Sequence, residues 1–258
     1  MLRIYFLQLR YNLSDPGVEE EIYDRITFQK FLDLDINNDQ IPDESTILRF
    51  RHFLEEHKLQ KRLFRVINKI LEEEWLLIKE WTTVDATIIP ASSSTKNKDK
   101  ERDPEMHSTK KGNNYYFGMK THVGTDSTNG LIHSVECTAA NVHDSKPLKK
   151  LLHGQEQVIY WDSAYMSEEK HDEYNRKWIA YHVCKRWTRN KKLTRLEKQM
   201  NRVFSQTRAR WERAFGVIKN LWKHRKVRYR GIFKNHMQRF MLAWLSNLYM
   251  MRKKLLTS

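Results

Sequence analysis

Three acidic residues stand where an acid either costs free energy or keeps basic company. Asp85 lies inside Val84-Asp85-Ala86-Thr87-Ile88-Ile89, a run that is otherwise mostly apolar or β-branched. A carboxylate in such a run is costly to bury unless a ligand or partner compensates it; a capping or salt-bridged Asp is the ordinary alternative. Asp162 follows the apolar-leaning Val158-Ile159-Tyr160-Trp161 directly. Glu212 comes four residues after Arg208 and seven before Lys219, offsets that put the three near one face of a helix. A surface ion-pair network would show the same spacing. Three such carboxylates suit a hard divalent cation, Mg²⁺ or Mn²⁺, which prefers oxygen ligands. Two ions roughly 3.5–4 Å apart need about three acids between them while leaving positions for phosphate and water.

The elements that would carry these acids can be read from periodicity. Residues 1–78 read as helical, beginning with an apolar opening (Leu2, Ile4, Phe6, Leu9) that has no capping residue before it. Residues 14–44 hold ten Asp or Glu against Arg25 and Lys30. Pro42-Asp43-Glu44-Ser45 then starts a clear helix, with Ser45 or Thr46 as its cap and a break near His57. At residue 82 the pattern changes to β-branched residues ending at Pro90, which predicts a strand. Residues 91–114 read as a polar loop. Strands over 115–123 and 131–137 follow, with Asp126, Asn129 and Gly130 as a hairpin turn. A helix from Asp144 or Ser145, a strand ending at Asp162, a helix over 167–177 and a strand over 178–184 complete an alternating α/β stretch. A long helix is expected over roughly 194–222, and an apolar packing helix at Met237–Met251. In an RNase H-like fold the first and fourth strands of such a series lie side by side, so Asp85 and Asp162 could share a metal and a nearby helix could add Glu212. The fold class expected is therefore α/β: an RNase H-like mixed sheet flanked by helices over 79–258, preceded by a small all-helical region over 1–78 for DNA binding or dimer contacts.

A net charge of +15 favours a polyanionic partner, nucleic acid first. The chain has eight Trp, eleven Tyr and eleven Phe, enough to build a core, which argues against disorder. Cys137 and Cys184 form no CxxC pair, so a zinc site of usual spacing is excluded and a reducing cytoplasm is the default compartment. No apolar run reaches the length of a membrane span. His122, His133 and His143 are not spaced as helical metal ligands and read as structural. Trp161 and Trp211, each preceding a candidate acid, read as core residues, with base stacking as the alternative. Lys223, Arg225, Lys226, Arg228 and Arg230 form a cluster without an acid, a candidate phosphate-contacting stripe.

The stretches VDATIIPASSSTKN, RDPEMHSTKKGNNYYFGMKTHVGTD, HSVECTAANVHDS and WDSAY, together with 208–219, resemble the DDE transposases of bacterial insertion sequences in group five, a superfamily shared with group four. The likeness runs over nearly the whole chain, including IYFLQLRYNLSDPGVEE and IPDESTILRFRHFLEEH. The resemblance implies an RNase H-like DDE domain acting on double-stranded DNA, both the element's terminal inverted repeats and the target. Asp85, Asp162 and Glu212 take the catalytic and metal-holding positions, with Arg208 and Lys219 as the signature's Arg and Lys. Lys110 and Lys111 would lie near DNA. The resemblance also implies about two Mg²⁺ or Mn²⁺ ions and a homodimer on DNA. Ser205 stands where relatives have Tyr, Ser163-Ala164 where many have x-Gly, and Arg213-Ala214 where many have His-Pro; the three carboxylates are all present. Relatives carry extra residues before the point matching Met1, which suggests an N-terminally truncated copy. The expected function is metal-dependent cleavage at transposon ends followed by strand transfer. The alternatives are a decayed or domesticated transposase that only binds DNA, and a nuclease that only hydrolyses.

Overall fold

β-Branched residues at 82–89 build the central strand of the molecule, β1 (Trp81–Pro90). In this computed structural model residues 1–98, 100–161, 168–184, 193–208 and 212–256 are described, with backbone only for 168–171, 206–208 and 212. Five helices come first: α1 (Leu2–Tyr11), α2 (Asp15–Asp24), α3 (Ile26–Leu32), α4 (Glu44–Glu56) and α5 (Leu59–Glu73). After β1 come β2 (His107–Lys111), β3 (Asn114–Asp126), β4 (Ile132–Ala139), α6 (Leu148–Leu151), β5 (Val158–Trp161), α7 (Glu168–Arg176) and β6 (Ala180–Val183). Then follow α8 (Arg195–Arg208), α9 (Glu212–Phe215), a π-helical turn (Gly216–Leu221) and α10 (Ile232–Leu255).

The six strands make one mixed sheet. β3 runs antiparallel to β1, from Thr82 opposite Asp126 to Pro90 opposite Gly118, and β4 continues the antiparallel half on β3. On its other side β1 pairs in parallel with β5, Trp81 opposite Val158 and Thr83 opposite Tyr160, and β5 pairs in parallel with β6. The spatial order β4, β3, β1, β5, β6 puts the first strand beside the one leading to Asp162, the arrangement of an RNase H-like sheet.

Side chains alternate along a strand, so the sheet has two unlike faces. One carries Val84, Ile159 and Trp161 and is covered by Leu148 and Leu151 of α6 and Tyr174 of α7. The other carries Val123 and Val135 and is covered by Ala214, Ile218 and Trp222 and by the long apolar α10. Tyr5 and Leu9 of α1, Leu54 of α4 and Phe64 of α5 belong to that second core as well. Asn247 of α10 ties the layers together. Its side-chain amide donates to Asn68 Oδ1 (3.1 Å) and Ile132 O (2.7 Å), and its Oδ1 accepts from Ile132 N (2.8 Å).

Four local expectations differ from what forms. The supposed loop 91–114 contains β2, because His107–Lys111 pairs with the early part of the unusually long β3. The expected helix from Asp144 shrinks to one turn after Pro147, where Pro supplies the helical φ without needing an N–H. The long helix expected over 194–222 is helical in its described parts up to Arg208 and from Glu212, and it widens into a π turn at Gly216–Leu221; residues 209–211 lie outside the described residues. Asp43, rather than Ser45 or Thr46, caps α4, its carboxylate accepting from Thr46 N at 2.7 Å. Among the described residues no helix is long and apolar enough to cross a membrane.

Candidate active site and nucleic-acid interface

Asp85 sits opposite Val123 in the β1–β3 register, so it shares a sheet face with Thr83, Thr87 and Ile89 and with Thr121 and Val123 of β3. It is half-buried, and its Oδ1 accepts from Ala86 N at 2.6 Å. Three later elements cover this face. Tyr160, in register with Thr83, meets His182 (5.2 Å between centroids) and Phe204 of α8 (5.9 Å). Phe215 and Ile218, just after Glu212, pack against the β3–β4 side. α10 closes the layer below them. The helix described from Glu212 onward therefore lies on the face of the sheet that carries Asp85. Asp162 and Trp211 lie outside the described residues; the last described residue before Asp162 is the buried Trp161 at the end of β5.

Lys219 reaches the same strand. Its Nζ donates to Thr87 Oγ1 at 2.5 Å and to Ile88 O at 3.0 Å, two and three residues beyond Asp85. Burial, then the positive charges of Arg239, Lys111 and Arg225, lowers its pKa to about 8. Three residues read from sequence as DNA-contacting, Lys111, Lys219 and Arg225, are thus close enough to feel one another. π turns interrupt helices most often at functional sites, and here the turn carries Lys219. Arg208 ends α8. Lys110 and Lys111 end β2, with Lys110 5.5 Å from the ring centroid of Tyr115.

The basic stripe after the π turn is not uniform. Lys223, Arg225 and Lys226 are exposed and line a groove of about 390 Å³ together with Asn12 and Arg228. Arg225 also holds the preceding turn, donating to Lys219 O (3.1 Å) and Asn220 Oδ1 (3.0 Å). Arg228 faces inward and donates to Asn12 Oδ1 (3.0 Å) and to Leu13 O. Arg228 and Arg230 border a second groove of about 370 Å³ with Ser92, Ser94 and Lys96. His224 anchors the stripe from below. It is 3% exposed, burial lowers its pKa to about 4, and the neutral ring donates Nε2–H to Leu9 O at 2.7 Å.

Thr87 and Arg239 are the members of this neighbourhood that sequence reasoning missed. Thr87 looks like any β-branched strand residue, and Arg239 is a single arginine within the largely apolar stretch of α10. The histidines behave as the sequence suggests. His122 Nε2 meets Thr138 Oγ1 (2.8 Å), His133 Nε2 meets Thr82 Oγ1 (3.2 Å), and His143 Nδ1 meets Ser145 Oγ (2.8 Å). Among the described residues no group of three or more His, Cys, Asp or Glu could hold a metal. Cys137 and Cys184 are both free.

Residues 79–248 match the family model described as "Transposase DDE domain", and residues 1–53 match the one described as "Transposase domain (DUF772)". The first match covers well over half of the chain. The fold, the acid-bearing strand and its basic surroundings thus meet an independent finding: this chain belongs to the transposase DDE domain family. Its function is DNA transposition, its chemistry is that of the nucleases and transposases of this family, and the family works with divalent metal ions. Among solved structures, "Crystal structure of the Mos1 Strand Transfer Complex" aligns at 10% identity over 95% of this chain and 77% of the other, with a TM-score of 0.24; so loose a likeness carries no argument about the site.

Proposed function

We propose that Asp85, Asp162 and Glu212 together hold two divalent ions, Mg²⁺ or Mn²⁺, and cut DNA at the transposon ends. The observation that carries this reading is the parallel pairing of β1 with β5. Its offset is constant from Trp81–Val158 to Thr83–Tyr160, and two further residues at that offset would set Asp162 beside Asp85. The helix beginning at Glu212 covers the same sheet face, which fits a third carboxylate arriving from above. Oxygen-only acids on one face suit hard divalent ions. Such a pair of ions would activate the attacking oxygen and stabilise the leaving one in an in-line displacement.

The chain's own cations do the rest. Lys219, held on Thr87 and Ile88, presents its charge next to Asp85 and would orient a non-bridging phosphate oxygen. Lys111 and Arg225 add to the same field, and Arg208, Lys110, Lys223, Lys226 and Arg230 would extend it along the duplex backbone. Arg228 would contribute mainly by pinning the groove to α1. Double-stranded DNA, both terminal repeats and target, is the substrate of this reading, and pairing two ends calls for a homodimer on DNA. The region 1–78 would contribute DNA or dimer contacts around the catalytic part 79–258.

Asp85→Asn tests the assignment. It removes charge with little change of shape, so cleavage of an end-containing duplex should fall by at least about 10²-fold, the scale on which lost transition-state charge stabilisation is felt. An electrophoretic shift on the same duplex should be unchanged or tighter. Undiminished metal-dependent cutting by this variant would remove Asp85 from the site.

A further inference from the structure

α5 has two apolar faces, and the core accounts for one of them. Gln60, Phe64, Asn68 and Leu71 are buried, with the Phe64 ring centroid 5.4 Å from that of Phe240 on α10. Leu59, Leu63, Val66 and Ile70 form a second stripe. Their offsets of four, three and four residues are the spacing with which one helix lays itself along another. Val66 is 49% exposed and Ile70 45%. Beside them Phe53 of α4, 50% exposed, joins Leu2, Phe50, Leu59, Leu63 and Val66 around an open apolar groove of about 390 Å³. Contiguous exposed apolar surface of this kind marks an interaction site.

The order of charge along α5 points to what fits there. Lys58, Lys61, Arg62 and Arg65 gather at its start, and Glu72, Glu73 and Glu74 at its end. This reverses what the helix dipole favours: the first turn holds no acid and the last turn no base. Glu72 pairs with Lys79, whereas Glu73 meets Lys69 at 3.6 Å on exposed surface, a weak contact. A second α5 laid antiparallel on the first would set each basic start beside an acidic end and oppose the two dipoles. Such a two-fold contact is self-complementary, one patch serving both copies. With Val66 next to the axis, the partner's Ile70 would enter the groove beside Leu63, and the partner's Glu73 would come beside Arg62. We propose that the outer stripe of α5 is a self-association surface, through which two copies of this chain pair antiparallel without needing DNA. For its use the surface rests on the homodimer of the reading above. Its test needs neither DNA nor metal, so a missing interface and a wrongly assigned catalytic site give different results.

Sedimentation equilibrium of the full chain, free of DNA and metal, should show monomer and dimer in exchange. A monomer at every concentration reached would overturn the proposal. Val66→Glu puts like charges together at the axis and should weaken the dimer at least about tenfold, with Tm unchanged because Val66 is half-exposed. A dimer of undiminished strength in this variant would exclude the α5 stripe. Two charge-reversal variants then test the orientation. Lys58→Glu with Arg62→Glu, and Glu73→Lys with Glu74→Lys, each suit the helix dipole better and should fold at least as well as the wild type, so they carry the test if Val66→Glu does not fold. Alone, each should pair at least about tenfold more weakly, because like charges then meet at both ends. An equimolar mixture of the two should recover dimers near wild-type strength. A mixture that pairs no better than either variant alone would exclude the antiparallel contact.

Discussion

At the scale of single residues, the chemistry rests on where charge is held. Lys219 is the clearest case. Its pKa is lowered to about 8, so its ammonium is complete below that pH and is lost as pH rises through it, well before exposed lysines titrate. Without metal, affinity for a short duplex should therefore weaken between about pH 7 and pH 9.5. Lys219→Met should bind more weakly at pH 7 and lose most of this dependence; a parallel decline in both proteins would show that Lys219 makes no contact with DNA. Glu212→Gln belongs with Asp85→Asn: cutting should disappear while the gel shift survives. Asp85 was legible in sequence because a carboxylate among β-branched residues is anomalous. Thr87 and Arg239 were not, since a threonine in a strand and one arginine in a helix are unremarkable until their neighbours are known.

At the scale of elements, the basic segment between the π turn and α10 is both a binding surface and a packed strap. Lys223 and Lys226 are exposed and free to neutralise phosphate, whereas Arg225 also holds the π turn. Replacing Lys223, Arg225 and Lys226 together by Ala should flatten the log–log salt dependence of DNA binding by about two to three units. An unchanged slope in a folded variant would move the contact to Lys110 and Lys111. Beneath the strap, His224 is neutral in the folded state and titrates near 4, against about 6.5 when unfolded. The folded pKa is the lower one, so its contribution is complete above about 6.5 and declines as pH falls toward 4. It should account for about 2–3 kcal/mol of acid destabilisation over that window. His224→Gln, compared with wild type by urea unfolding at pH 7.5 and pH 5, should show a smaller loss; identical losses would place the acid sensitivity elsewhere, for instance at the similarly buried His122.

At the scale of the whole molecule, the N-terminal helices and the sheet share a core. Tyr5, Leu9, Leu54 and Phe64 pack in one cluster with Val123, Trp222 and Trp244, and Asn68, Ile132 and Asn247 form a buried polar crosslink among α5, β4 and α10. Asn247→Leu would take the partner from Ile132 N and Asn68 Oδ1, while Asn68 Nδ2 still reaches Ile132 O at 3.2 Å, and should cost about 2–4 kcal/mol, read as a lower urea midpoint. A fragment beginning at residue 79 would uncover the apolar flank of α10 and should aggregate or bind a hydrophobic dye. A soluble, cooperatively unfolding fragment would show that the shared core is dispensable.

Local pattern determined much of this protein before any coordinates. β-Branched runs made β1, apolar spacing made α4, α5 and α10, and the order of strands and helices called for the parallel pairing of β1 with β5, because each of these depends on neighbours close in sequence or on a rule of chain connection. The net charge of +15 favoured a polyanionic partner. Other features depended on contacts more than a hundred residues apart. Lys219 docks on Thr87, His224 on Leu9, and Arg228 on Asn12. β2 emerged from a polar stretch because His107–Lys111 pairs with residues 114–118 at the start of β3, a backbone contact that the polar side chains of 107–111 do not signal. The same holds for the division of cations into those that meet solvent and those that hold the fold. Lys223 and Arg239 carry the same charge, and only packing makes one an exposed surface cation and the other a cation buried within α10's core face.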